Sequence, residues 1–167
     1  MNKELFEKGL AIRKSVIGAE FVDKALASAD DFNMPLQELV TEYCWGAVWG
    51  REGLTKKTRS LLNIAMLSVL NRPHELKVHT KGAIKNGATK EEIREVLMQV
   101  AIYAGVPAGV DSFRAAKEVF AQLDQQIRNR LLRQDLARGR VGLGFLTNLA
   151  QAHGRLFLEM LERDKKP

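Results

Sequence analysis

Glu75 and His79 stand four residues apart, and on a helix that spacing stacks the carboxylate and the imidazole on one face. Leu76 and Ala83 fall on the same stripe, so the face is expected to point inward, where an ionisable pair persists only if it is paired or used. In use, His79 would carry a proton to or from a reacting carbon, with Glu75 orienting the ring. Otherwise the two form a structural helix pair, and periodicity alone favours that plainer reading. Trp45 and Trp49 each offer a broad apolar face and one N–H donor, which suits either a pocket wall or core packing. Arg51 and Arg59 flank the following loop, as anion-binding groups or as solvated side chains. Tyr103 falls in step with Val96 and Val100, so its ring is expected to be buried and its hydroxyl to need a structural or ligand partner. Cys44 has no activating base nearby in sequence and reads as a small buried hydrophobe.

Other chemistries find little support in the residues. His74 and His79 resemble a zinc protease pair, but they are five residues apart instead of four. At about 100° per residue they sit roughly 140° apart around a helix and cannot share one metal from one face. No metal site is therefore expected. Cys44 is the only cysteine, so an intrachain disulfide, a Cys-x-x-Cys redox pair and a cysteine-based zinc cage are all impossible. No glycine-rich phosphate loop or nucleophile elbow is present. No apolar run approaches the roughly 18 residues of a membrane span, and Lys3, Glu4, Glu7 and Lys8 interrupt the start where a secretory signal would be apolar. No membrane partner and a cytoplasmic location are the resulting expectations.

The formal charge of +6 is uneven. Residues 1–126 carry 17 Lys and Arg against 16 Asp and Glu, whereas residues 127–167 carry 9 against 4, so the excess lies in the tail. A solvated helical extension or an oligomer contact is the favoured reading of that tail. Its only aromatics are Phe145 and Phe157, which makes a poor base-stacking platform, so nucleic acid is not an expected partner.

The elements that would position these residues read as consecutive helices, because apolar residues recur at steps of three and four and no segment alternates with the strand period. An all-α, single-domain helical bundle over residues 1–124 with a basic helical extension over 125–167 is expected. A first helix spans about Lys3 to Ile17 and stops at Gly18, and a second shows a face at Phe21, Val22, Ala25, Leu26 and Ala29. Pro35 opens a third, with Leu36, Leu39, Val40, Tyr43 and Ala47 on one stripe, ending near Gly50. Thr55 caps a fourth whose stretch from Leu61 to Leu70 is apolar on nearly every side, the pattern of a central helix surrounded by protein. Pro73 starts a fifth, terminated at Asn86 and Gly87. Thr89 and Glu92 form a capping box for a sixth that runs to Ala104, and a seventh begins near Pro107. In the tail, Gly139, Gly142 and Gly144 precede a helical period from Phe145 to Leu161.

As a set, the stretches Tyr43 to Trp49, Gly53 to Leu62, Glu75 to His79 and Ala101 to Pro107 closely resemble the carboxymuconolactone decarboxylase family, of the alkylhydroperoxidase-like superfamily. The likeness covers about residues 4–123 and leaves the tail outside. Related peroxidases carry a Cys-x-x-Cys-x-x-x-His motif, but here Arg72 and Glu75 stand at the cysteine positions and only His79 remains, so disulfide-based peroxidase chemistry is ruled out. The resemblance implies a cofactor-free decarboxylation of 4-carboxymuconolactone to the β-ketoadipate enol-lactone in protocatechuate catabolism. It also implies a homo-oligomer, a trimer or hexamer, and a small carboxylated lactone as substrate. The catalytic residues it suggests are His79, Glu75 and Arg59, with Trp45, Trp49, Arg51 and Tyr103 binding substrate. Two alternatives stay open: a decarboxylase or lactone-processing enzyme with another small carboxylated substrate, and a non-catalytic helical oligomer binding ligand or nucleic acid through its tail.

Overall fold

The computed structural model of the protein describes residues 1–138. Within them, seven α-helices and one π-helix are connected by short turns, with no strand, as the sequence periodicity requires. The expected elements at residues 139–161 lie outside the described residues.

Local signals place most helix ends. α1 (Lys3–Ile17) begins at Asn2, whose side chain accepts from the Leu5 amide, and ends at Gly18 in a positive-φ conformation. α2 (Ala19–Ala27) follows at once. α4 (Lys56–Val69) is capped by Thr55, whose side chain accepts from the Thr58 amide. α5 (Pro73–Lys85) starts on its proline, and Gly87 turns the chain after it with φ of 89°. α6 (Lys90–Tyr103) carries the complete Thr89–Glu92 capping box. α7 (Val106–Ala137) is the longest helix.

The third helix differs from the 3.6-residue expectation. α3 (Met34–Leu39) passes directly into a π-helix, π1 (Val40–Val48), closed by a Trp49 amide to Cys44 carbonyl bond of 2.9 Å. Because a π turn adds a residue, the face that points inward is re-phased. Leu36, Leu39 and Tyr43 of the expected stripe are exposed, while Thr41, Glu42, Trp45, Gly46 and Trp49 are buried. Cys44, expected to be buried, is exposed for the same reason.

Two apolar clusters make the core of the compact unit Met1–Ala121; a second unit begins at Gln122. One gathers Ile64, Leu76, Ala83, Ile93, Leu97, Ala115 and Ala116 between α4, α5, α6 and α7. The other joins Val16 of α1 to Trp45 and Trp49. Between α1 and π1 the backbones nearly touch: a Cβ on Gly9 would meet the Thr41 carbonyl oxygen, and one on Gly46 would meet that of Leu5. Only glycine permits that approach. Arg13 crosses the same interface, 6% exposed, donating from Nη1 to Thr41 Oγ1 at 3.0 Å and from Nη2 to Gln37 Oε1 at 2.9 Å. Burial lowers its pKa, an effect partly opposed by Cys44.

α4 is not enclosed on every side. Ser60, Ile64 and Ser68 are buried, but Leu62, Met66, Val69 and Leu70 form an exposed apolar stripe. The all-round apolar pattern of this helix therefore exceeds what the chain itself covers.

Candidate functional site

Three elements meet around His79. From α5, one turn before buried Ala83 and one turn after exposed Glu75, its half-buried imidazole points toward π1 and α4. From π1, Trp45 lies parallel to it, with ring centroids 6.2 Å apart and planes within 2°. Trp49 packs on Trp45 at 4.8 Å with a tilt of 34°. The two indoles and the imidazole thus form a continuous aromatic file, anchored against Val16. From α4, the Asn63 side-chain amide nitrogen comes within 3.4 Å of His79 Nδ1.

Arg59 is one turn before Asn63 and shares its face of α4. Its Nη2 donates to the Arg51 carbonyl oxygen at 3.1 Å, while its Nε is buried with no protein partner. A buried N–H without an acceptor is costly and marks a place where an anionic or carbonyl oxygen would be welcome. Arg51 itself contributes a backbone carbonyl there, and its side chain belongs to the exposed set.

The electrostatics of His79 are set by its surroundings. Burial pushes the imidazole below its ordinary value of 6.5, and the nearby Glu75 carboxylate pulls it part of the way back. Glu75 is exposed, so it acts on the ring through its charge, and the side chain in hydrogen-bonding range of His79 is Asn63. The expectation of an inward Glu75 holds for its stripe neighbours Leu76 and Ala83 but not for the carboxylate.

Tyr103 departs most from expectation: it is 84% exposed. It sits in the last residue of α6, where Val100 is buried but the chain turns away at Gly105 before anything covers the ring. In a single chain it does not join the file. Asn63 escaped sequence reasoning, although a signal existed. It interrupts the apolar run from Leu61 to Leu67 and stands four residues after Arg59, and a polar side chain so placed needs a partner. Among the described residues no three His, Cys, Asp or Glu side chains are grouped as metal ligands would be, and no helix is long and apolar enough to cross a membrane.

The all-α bundle thus holds an imidazole parallel to an indole, with an arginine one helical turn from the imidazole's amide neighbour. Residues 35–118 match the carboxymuconolactone decarboxylase family, and the chain belongs to that family. It is 44% identical over 112 residues to a nitrosuccinic acid decarboxylase of Metarhizium robertsii, covering 67% of this chain and 78% of that protein. It is 38% identical over 122 residues to a 4-carboxymuconolactone decarboxylase of Acinetobacter baylyi, covering 73% and 91% respectively. A 4-carboxymuconolactone decarboxylase of Pseudomonas putida is 34% identical over 44 residues, covering 26% of this chain and 92% of that sequence.

Proposed function

We propose that this chain is a carboxy-lyase that removes CO₂ from 4-carboxymuconolactone, giving the β-ketoadipate enol-lactone in protocatechuate breakdown. The observation that carries the reading is the joining of Trp45, Asn63 and His79 from three separate elements in a chain of this family. The bond between the ring carbon and its carboxylate breaks, and the electron pair moves through the ring double bond into the lactone carbonyl. A proton then arrives on the ring carbon next to that carbonyl. No metal or organic cofactor is required, because the substrate is its own electron sink. What the protein supplies is preorganised donors for the developing oxyanion and a proton. Arg59, with its buried unpartnered Nε, meets the negative oxygen or the departing carboxylate, and the indoles of Trp45 and Trp49 wall the apolar side. His79 delivers the proton, with the Glu75 charge raising its affinity for it. Arg51 holds the acetate arm.

This role fixes the sign of a pH effect. As the acid, His79 must be protonated, and its pKa in the free protein lies below 6.5. Bound carboxylates favour the imidazolium and raise that pKa. We therefore expect kcat/KM to fall with rising pH from below 6.5, and kcat to fall only at higher pH. A rate that instead rises across both ranges assigns the ring the opposite protonation state.

The second reading is a nitrosuccinate-type substrate, favoured by the 44% identity. There the electron pair would enter a nitro group, so the need for an oxyanion site is shared. Competition between the two acids decides: kcat/KM should favour the lactone by roughly tenfold or more, a margin of about 1.4 kcal/mol. Preference for nitrosuccinate makes the second reading correct.

A homo-oligomer, a trimer or hexamer, is part of the proposal. Its support is the exposed apolar stripe of α4 and a groove of about 790 Å³ between α6 and α7, lined by Met98, Ile102, Val106, Val110 and Phe113. Tyr103, beside that groove in sequence, would border substrate only if such an assembly covers it. A monomeric mass at sedimentation equilibrium would count against it. The basic extension 125–167 is read as a solvated extension or an oligomer contact in preference to a nucleic-acid arm, and the enzyme is assigned to the cytoplasm.

A further inference from the structure

We propose that Asn63 is a positioning residue that anchors Nδ1 of His79 and so makes Nε2 the nitrogen that handles the proton. The inference rests on the reading of His79 as proton carrier and adds which atom acts and what holds it. The ring is gripped from two directions. The Trp45 indole lies parallel to it within 2° at a centroid distance of 6.2 Å, and the Asn63 amide approaches one nitrogen, at 3.4 Å from Nδ1. With the amide nitrogen on the ring side, Nδ1 is assigned as the acceptor in the neutral state and Nε2 as the nitrogen that carries the hydrogen.

The groups around the ring leave this choice to Asn63. π1 presents the neutral Trp45, α5 contributes the Glu75 charge one turn away, and α4 presents Asn63 with Arg59 a further turn back. Burial keeps the resting imidazole neutral, which is the state an amide N–H donor matches. An amide has both a donor and an acceptor end. When Nδ1 takes up a solvent proton, rotation of the amide brings Oδ1 to accept from the new N–H. Nε2–H is then free to give its proton to the substrate carbon, leaving the neutral ring protonated on Nδ1 and still held. Nε2 then takes up a second solvent proton, and loss of the Nδ1 proton to solvent with the reverse rotation restores the resting state, so each turnover consumes one solvent proton net.

Two variants separate this role from packing. Asn63→Leu keeps the branched shape with somewhat larger ends but offers neither donor nor acceptor. Asn63→Asp keeps the shape and offers only acceptors, which move the neutral-state hydrogen to Nδ1 and raise the pKa of the ring. The measurement is ¹⁵N NMR of histidine-labelled full-length protein across pH, with His74 and His153 as internal comparisons. Wild type should show the Nε2–H form at neutral pH. Asn63→Leu should show a mixture of tautomers and lose kcat by roughly tenfold with KM changed less than about threefold, within the span of general acid effects. Asn63→Asp should show the Nδ1–H form, a higher titration midpoint, and a kcat/KM limb displaced to higher pH. A wild-type ring protonated on Nδ1, or a tautomer and titration unchanged in both variants, overturns the proposal. The NMR needs no substrate, so it fails or succeeds independently of whether the lactone is turned over.

Discussion

Replacing His79 with alanine should lower decarboxylation by about 10²- to 10⁴-fold, the range attributed to a positioned general acid, while the helical fold persists. The ring is only half-buried and lies parallel to Trp45 with centroids 6.2 Å apart, so its removal costs far less in packing than in chemistry. Circular dichroism and turnover measured on the same preparation give the check: near wild-type rates in a folded variant remove His79 from the mechanism. A second signature accompanies the first. The folded pKa of His79 lies below the 6.5 of the unfolded chain, so the unfolded state takes the proton first. Stability contributed by the neutral ring is therefore present at higher pH and declines as pH falls through 6.5 and below. The alanine variant should lose that part of the acid sensitivity.

Gly9→Ala should be the most damaging single methyl added to the protein, although Gly9 touches no expected catalytic group. Its new Cβ would meet the Thr41 carbonyl oxygen and approach the Gly46 nitrogen to 2.8 Å, both backbone atoms that no rotamer change can move. Helix α1 would have to lift from π1, the element that carries Trp45 and Trp49. Overpacking of this kind costs roughly 3 kcal/mol or more, which for a chain of this size lowers the melting temperature by about 10 °C. Turnover should fall with it, because the indole against His79 moves. Gly53→Ala is the control: nothing lies within 4 Å of its Cβ, and its melting temperature should stay within about 2 °C of wild type. Equal melting of the two variants would show that α1 and π1 tolerate separation.

These expectations also mark how far the sequence could be read. Several helix ends were legible because their causes are local: Thr55 and Thr89 meet donors within three residues, and Gly18 and Gly87 adopt the conformations that glycine favours. The grouping at the candidate site was partly legible, since His79, Trp45 and Trp49 were singled out by type and spacing and do come together. The π turn was not, because a pattern sampled at 3.6 residues per turn carries no mark of the added residue; of the expected stripe, Val40 packs against the second cluster while Leu36, Leu39 and Tyr43 are exposed. Tyr103 failed for another reason: periodicity tells which way a side chain leaves its helix, not whether anything waits there. Asn63 shows the converse. One polar residue in the apolar run of α4 was a question about a partner, and the partner lay 16 residues away on another helix.

The most direct test follows CO₂ release and lactone absorbance when purified, chelator-treated protein meets 4-carboxymuconolactone. The account predicts full turnover without added metal or organic cofactor, and its loss in the His79→Ala variant. No CO₂ from the lactone, or turnover that returns only when a metal ion is restored, would contradict it.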